Sequence, residues 1–203
     1  LMRIVYVEQG SEEWHAARMG VPTASQFAKI LASTGKPSTR AESYRHTLLA
    51  ERLGVRAESY ESDAMKRGTE LEPEARETYE FITGSAVEQV GFVLRGGDLV
   101  GCSPDGLIGD SGGLEIKCPM PATHISYLLR GKVPAKYIPQ VQGCMYVCGP
   151  GRKWWDFMSY SPGLEPLIVR VERDEDYIAA LDSALAGFLE QMESDYLKLT
   201  KEL

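Results

Sequence analysis

The stretch from 174 to 201 carries a regular apolar repeat. Tyr177, Leu181, Leu185, Phe188, Met192 and Tyr196 recur every three or four positions, which lines one face of an α-helix. Acidic residues fill much of the rest, so the expectation is a long amphipathic helix with its stripe in the core or a subunit contact. Shorter helical signals precede it. Ser11 before Glu12 and Glu13 fits a helix start, with acids near the positive end of the dipole. Thr23-Ala-Ser-Gln26 has the form of a capping box opening a helix through about Leu31. Residues 40–53 look helical and stop at Gly54, and 63–83 stop before Gly84. Two further helices are expected over 121–131 and 136–148.

Between 86 and 117 the pattern changes to short strand-like runs: 86–94, 98–102 with 105–109, and 113–117. Gly96-Gly97 and the glycine-rich 109–113 separate them as turns. WWDFMSY (154–160) and PLIVRV (166–171) read as two more strands. Adjacent Trp154 and Trp155 must point to opposite faces, one to the core and the other to a place open to an interface. Helices, a mostly antiparallel meander, a helix and then more sheet make a mixed α/β fold. No repeat, low-complexity tract or long linker interrupts the chain, so one domain over 1–203 is expected.

Composition narrows the class. With 203 residues, 43% hydrophobic and 25% charged, the chain resembles an ordinary globular protein. No apolar run approaches the roughly 20 residues of a membrane helix, and the N-terminus lacks a secretion-signal pattern. Cys102, Cys118, Cys144 and Cys148 contain no C-x-x-C pair, so reduced, mostly buried thiols in a cytoplasmic protein are expected rather than zinc ligands. His15, His46 and His124 are too scattered for zinc. The net charge of −7 argues against indiscriminate nucleic-acid coating. The balance is uneven, however: +2 over 1–67 and −9 over 68–203, which permits a local anion site in the N-terminal third.

One strand raises a chemical question. In GGLEIKCP (112–119), Leu114 and Ile116 point one way while Glu115 and Lys117 point the other. Ten residues upstream lies Asp105, in CSPDGLIG. A turn centred near 110 would set 105 opposite 115, with Cβ atoms about 4.5–5.5 Å apart. Carboxylates that close repel, unless a hard divalent cation such as Mg²⁺ or Mn²⁺ bridges them. Lys117 would then orient or help deprotonate a water and stabilise negative charge at phosphorus. The alternative is a hairpin with an ordinary Glu–Lys ion pair, and the pattern alone leaves both open.

With these residues in view, SPDG followed about ten residues later by LEIKCP resembles the PD-(D/E)xK nuclease signature. More specifically, the chain resembles the phage lambda exonuclease (YqaJ-like) family of recombination nucleases. WHAARMGVPTAS (14–25) is similar to its N-terminal motif, MKRGTELEPEARETYEF (65–81) to its acidic helix, and YIPQVQGCMYVCG (137–149) to its glutamine- and aromatic-bearing helix. The four pieces occur in order across about 11–160.

The resemblance implies a restriction-endonuclease-like α/β core, a central mixed β-sheet with flanking helices. It implies metal ligation by Asp105, Glu115 and the carbonyl of Ile116, with Lys117 as catalytic lysine and Glu72 as a further catalytic glutamate. Glu70 and Glu74 compete with Glu72 for that place. They share a helical face from which 72 points away, so only one set can meet Asp105. It implies a 5′-phosphate pocket of Arg18, Ser25 and Ser103, and contacts to the scissile nucleotide by Gln140, Gln142 and Tyr146. For Tyr146, plain helix packing is an equal reading. The implied activity is Mg²⁺-dependent degradation of one strand of linear duplex DNA from 5′-phosphorylated ends, with Mn²⁺ as a substitute. The implied assembly is a homotrimeric ring around DNA, partnered by a single-strand annealing protein. Three other readings remain: an endonuclease on the same core, a DNA-end-binding module, and an iron–sulfur nuclease. Intact Asp105, Glu115 and Lys117 count against the second, and cysteines placed within the hairpin itself count against the third.

Overall fold

The computed structural model describes residues 2–55, 63–97 and 99–201. The long C-terminal helix forms as its repeat requires. It is α6 (Glu175–Lys201), and Tyr177, Leu181, Leu185, Phe188 and Met192 are buried in the larger hydrophobic cluster. In α1 (Glu12–Arg18) the Ser11 hydroxyl accepts from Trp14 N at 3.2 Å, the expected cap. Helices α2 (Ala41–Arg52) and α3 (Asp63–Thr83) follow. Gly84, with φ +67°, takes the left-handed conformation that ends α3.

The supposed capping box does not make an α-helix. Residues Ala24–Lys29 form a 3-10 helix, and Thr23 caps nothing. Thr23 is held extended instead: it bridges Gly101 in parallel and its N–H donates to the Tyr44 hydroxyl at 3.1 Å. A backbone amide already paired across the fold cannot complete a capping box.

The meander divides. Strands β1 (Met2–Val5), β2 (Phe92–Arg95) and β3 (Val100–Cys102) form an antiparallel sheet in the order β1-β2-β3. Strands β4 (Gly106–Ile108), β5 (Gly112–Lys117), β6 (Trp154–Ser159) and β7 (Leu167–Glu172) form a second, mixed sheet in chain order, with β5 and β6 parallel. The expected run 86–94 is strand only from Phe92; Glu88 makes one isolated bridge to Leu107. Strand β1 gave no sequence signal, because four edge residues near a terminus carry no readable period. The split falls at Ser103-Pro104-Asp105, so this short segment crosses from one sheet to the other.

Parallel pairing of β5 with β6 needs a crossover. It is supplied by α4 (Pro121–Arg130), a 3-10 turn (Ala135–Tyr137) and α5 (Ile138–Cys148). The two faces of the mixed sheet are packed differently. Leu114, Ile116 and Met158 join Ala75 and Tyr79 of α3 in one cluster. Trp155 joins Val141, Cys144 and Met145 of α5 in the other. Trp155 is therefore the core tryptophan, while Trp154 lies under the Arg170 guanidinium at 3.6 Å. All four cysteines are free and buried. No described helix is long and apolar enough to cross a membrane.

Candidate active site

The β4–β5 register pairs Gly106 with Leu114 and Leu107 with Gly113. One step further along the same register sets Asp105 across from Glu115, as the turn symmetry requires. Asp105 lies just outside β4, and its Oδ2 accepts from Ile116 N at 2.6 Å. Glu115 is fully buried. Its Oε1 is 2.5 Å from Lys117 Nζ and accepts from Gln140 Nε2 at 2.5 Å. Its Oε2 is buried with no hydrogen-bond partner among the described residues. An orphaned buried carboxylate oxygen costs about 1–3 kcal/mol or more, so this site is incomplete in protein atoms alone.

The electrostatics agree. Burial pushes Glu115 up to about 8; Lys117 opposes the shift, and Asp105 and Glu72 add to it. Burial likewise raises Asp105, against Lys117 and the Ile116 amide. Glu72 is raised to about 7, by burial first and then by Asp105, against Arg76 and Lys117. Burial alone would lower Lys117, but the charges of Glu115 and Asp105 outweigh it and hold the ammonium above its ordinary range. Three carboxyl groups in mutual repulsion around one cation form a site that favours added positive charge.

Of the three competing glutamates, Glu72 faces this site. Arg76, one turn along α3, donates to Glu72 Oε1 and, through Nε, to the Asp105 carbonyl at 3.3 Å. Glu70 is exposed, and Glu74 accepts from the Tyr160 hydroxyl. A cavity of about 480 Å³ opens beside Glu72, Arg76 and Asp105, with Tyr6, Gln9 and Gln89 on its other walls. That volume is in the range of small-ligand sites.

Arg18 and Ser103 also come together. Arg18 Nη1 donates to Ser103 Oγ at 2.7 Å, and its guanidinium lies 4.0 Å from the Trp14 ring centroid. Trp14 Nε1 donates to Ser103 Oγ at 2.9 Å and to the Gly91 carbonyl at 3.1 Å. Burial lowers the Arg18 pKa. Ser25 is exposed, and its hydroxyl lies 3.3 Å from that of Thr23; Thr23 in turn bridges Gly101, two residues before Ser103.

The glutamines of α5 part company. Gln140 reaches Glu115, but Gln142 lies about 200° further round the helix. Gln142 is buried at the β7–α6 junction, donating to the Glu172 carbonyl and accepting from Asp174 N. Tyr146 shares that far side: its hydroxyl donates to Asp182 at 2.6 Å and Arg95 covers its ring at 4.3 Å. Neither residue is brought to Glu115, which corrects their expected contact with a scissile nucleotide. The aromatic beside the site is Tyr137, whose ring lies 5.5 Å from Lys117 Nζ and stacks on Phe157. Sequence reasoning passed over Tyr137 and Arg76. Arg76 was findable, since it stands one helical turn after Glu72.

Could a metal be held here? Among the described residues no group of three or more His, Cys, Asp or Glu is gathered into a cage. The candidate donors are two opposed carboxylates, Asp105 and Glu115, with the Ile116 carbonyl implied by the resemblance. Such a sparse oxygen set fits Mg²⁺, which keeps several waters and takes one or two carboxylates. The partnerless Glu115 Oε2 is the atom that such an ion would satisfy.

The YqaJ-like viral recombinase domain model matches residues 13–150. The chain belongs to that family. Among solved structures, the chain is similar to an alkaline exonuclease from Laribacter hongkongensis, with 38% identity, 95% of this chain and 97% of that chain covered, and a TM-score of 0.84. The complex of that enzyme with dAMP matches at 39% identity over the same shares, with a TM-score of 0.83. A phage-related exonuclease from Haemophilus somnus 129PT is 16% identical, with 86% and 96% covered and a TM-score of 0.67, and shows the fold alone. Among curated proteins none matches. The restriction-endonuclease-like mixed α/β fold expected from the motifs is therefore the fold of this chain.

Proposed function

We propose that this YqaJ-family chain is a Mg²⁺-dependent 5′→3′ exodeoxyribonuclease. It degrades one strand of linear duplex DNA from 5′-phosphorylated ends, releases 5′-mononucleotides and leaves 3′ overhangs for single-strand annealing. The observation that carries this reading is the buried Glu115, opposed by Asp105, with one carboxylate oxygen that has no hydrogen-bond partner among the described residues. Similarity to an alkaline exonuclease over nearly the whole chain supports it.

Asp105, Glu115 and the Ile116 carbonyl would hold the cation, with Mn²⁺ as a substitute. When bound, it supplies charge that polarises the phosphodiester and acidifies a water. Gln140 fixes the Glu115 side chain. Lys117, whose raised pKa keeps it an ammonium at neutral pH, acts by orienting the attacking water and countering charge at phosphorus. Glu72 lies across the cavity as the further carboxylate, positioned by Arg76. Arg18 and Ser103 receive the terminal phosphate, with fork-like donors from the guanidinium, and Ser25 completes that pocket. The family resemblance supports a homotrimeric ring, a single-strand annealing partner, and action in the cytoplasm of a bacterium carrying a phage or prophage.

The test is a linear duplex phosphorylated at one 5′ end and labelled at both 3′ ends, incubated with Mg²⁺ and then with EDTA. A closed circle and Lys117→Ala run alongside. The phosphorylated strand is expected to shorten from its 5′ end, EDTA to abolish this, the circle to survive, and Lys117→Ala to slow release by about 10²–10³. A cut circle would replace the reading with an endonuclease. A linear duplex bound but uncut would replace it with an end-binding module.

A further inference from the structure

The forty residues from Ile116 to Trp155 contain no Asp or Glu and six Lys or Arg, in a chain of net charge −7. They are the crossover between β5 and β6, so the acid-free stretch begins at Lys117 and includes α4, the 131–137 connection and α5. Arg152 is engaged at the far end of the sheet, where it donates to the Gly109 and Gly112 carbonyls. Arg130 ends α4 and Lys132 and Lys136 follow on the connection, and all three are exposed.

Their position relative to the site follows from two contacts. Lys136 Nζ lies 4.7 Å from the centroid of the Tyr137 ring, and Lys117 Nζ lies 5.5 Å from that same centroid. The ring is held by stacking on Phe157 at 5.2 Å. Three residues further on, Gln140 donates to Glu115. The connection is thus bracketed by Lys117 and by Gln140, both of which touch the buried glutamate.

What sets these cations apart is that no Asp or Glu occurs anywhere in the stretch that carries them. Elsewhere on the chain Arg45, Arg52, Arg76, Arg170, Arg173 and Lys198 each pair with a carboxylate. Among the described residues no carboxylate pairs with Arg130, Lys132 or Lys136. Arg130 is in the last turn of α4, where the helix dipole favours a cation. Lys132 and Lys136 lie beyond that helix; Lys136 is held by the Tyr137 and Tyr127 phenols, and Lys132 has no such reason.

We infer that Arg130, Lys132 and Lys136 form a ledge that binds the phosphate backbone of the substrate DNA beside the cleavage site, with Tyr137 as the fixed step between ledge and Lys117. This rests on the proposed nuclease reading and names where the strand runs. On an acidic protein, a local unpaired cationic edge concentrates a polyanion where it is cut without coating the rest of the surface. Contacts of this kind position DNA and carry no base preference.

The test is binding of full-length protein to a fluorescent 5′-phosphorylated duplex in EDTA, by anisotropy across a salt series. Compared are the wild type, a triple variant (Arg130→Ala, Lys132→Ala, Lys136→Ala), the single variant Lys132→Glu, and Lys198→Ala on α6. The slope of log affinity against log salt is expected to shrink by about 0.9 per lost contact, roughly 2.7 for the triple variant. Low-salt affinity should fall about tenfold or more, and Lys198→Ala should match the wild type. Lys132→Glu, a single exposed change, keeps the test valid if the triple variant unfolds. Wild-type binding with an unchanged slope in the ledge variants would overturn the ledge alone. A wild type that binds no duplex would overturn the DNA reading and the ledge with it.

Discussion

Glu115 shows how folding changes a residue's chemistry. Enclosure lifts its carboxyl from an ordinary 4.5 to about 8, and Glu72 is lifted to about 7. A carboxyl raised by folding binds more protons folded than unfolded between its two pKa values, so stability falls as pH rises through that window. The raised Lys117 has the same sign, but its contribution is lost only above the ordinary lysine value of 10.5, outside the window. EDTA-treated protein is therefore expected to unfold at progressively lower temperature from about pH 5 to pH 8. Added Mg²⁺ should recover more of that loss at the higher pH, because ligation needs the deprotonated groups. A melting temperature that climbs across this window without metal would contradict the burial of these carboxyls. Arg76 supplies a second prediction at this scale. It holds both Glu72 and the Asp105 main chain, so Arg76→Ala should weaken Mn²⁺ binding by about 10–100-fold, measured by calorimetry. Arg76→Lys should fail to restore it, since a single ammonium cannot span both acceptors. None of this burial was legible in the sequence, where an ordinary Glu115–Lys117 ion pair remained open beside the metal site.

Among the elements, the hairpin is what brings the carboxylates together, and its position depends on a close approach. A Cβ on Gly113 would come within 2.3 Å of the Trp155 ring, a fully buried side chain that cannot give way. Gly113→Ala is expected to cost about 1–3 kcal/mol, seen as a drop of roughly 2–4 °C in melting temperature per kcal/mol. It should also lower nuclease activity, because displacing β5 moves Glu115 and Lys117 together. A variant as stable and active as the wild type would show that β5 can shift freely. Helices were the legible part at this scale. The bounds 63–83 read from apolar spacing and Gly84 coincide with α3. Strands were less so. The runs of the meander were roughly right, but its division between two sheets depends on β1 and on the Thr23–Gly101 bridge, partners far apart in sequence. Thr23 reads as a cap for the same reason: nothing nearby reveals that Tyr44 takes its amide.

For the whole molecule, the acid-rich surface and the basic crossover are parts of one arrangement. Long-range repulsion keeps a −7 protein off DNA in general, so a nuclease of this composition needs either a local cationic edge or an enclosing assembly. The proposed ring supplies enclosure. Sedimentation of purified protein is expected to give a particle three times the chain mass; a monomer at micromolar concentration would remove the ring from the proposal.

The amino-acid sequence by itself determined the α-helices, the facing of Glu115 with Lys117, and the opposition of Asp105 to Glu115. Each is a consequence of a period within one element or of symmetry about one turn. Only the tertiary structure decided that Glu72 rather than Glu70 or Glu74 meets the site, that Gln140 reaches Glu115 while Gln142 and Tyr146 do not, and that Tyr137 stands beside Lys117. The physical reason is the same in each case. Periodicity sets the angles between side chains on a helix, but the rotation of that helix about its axis is set by packing against elements far away in the chain.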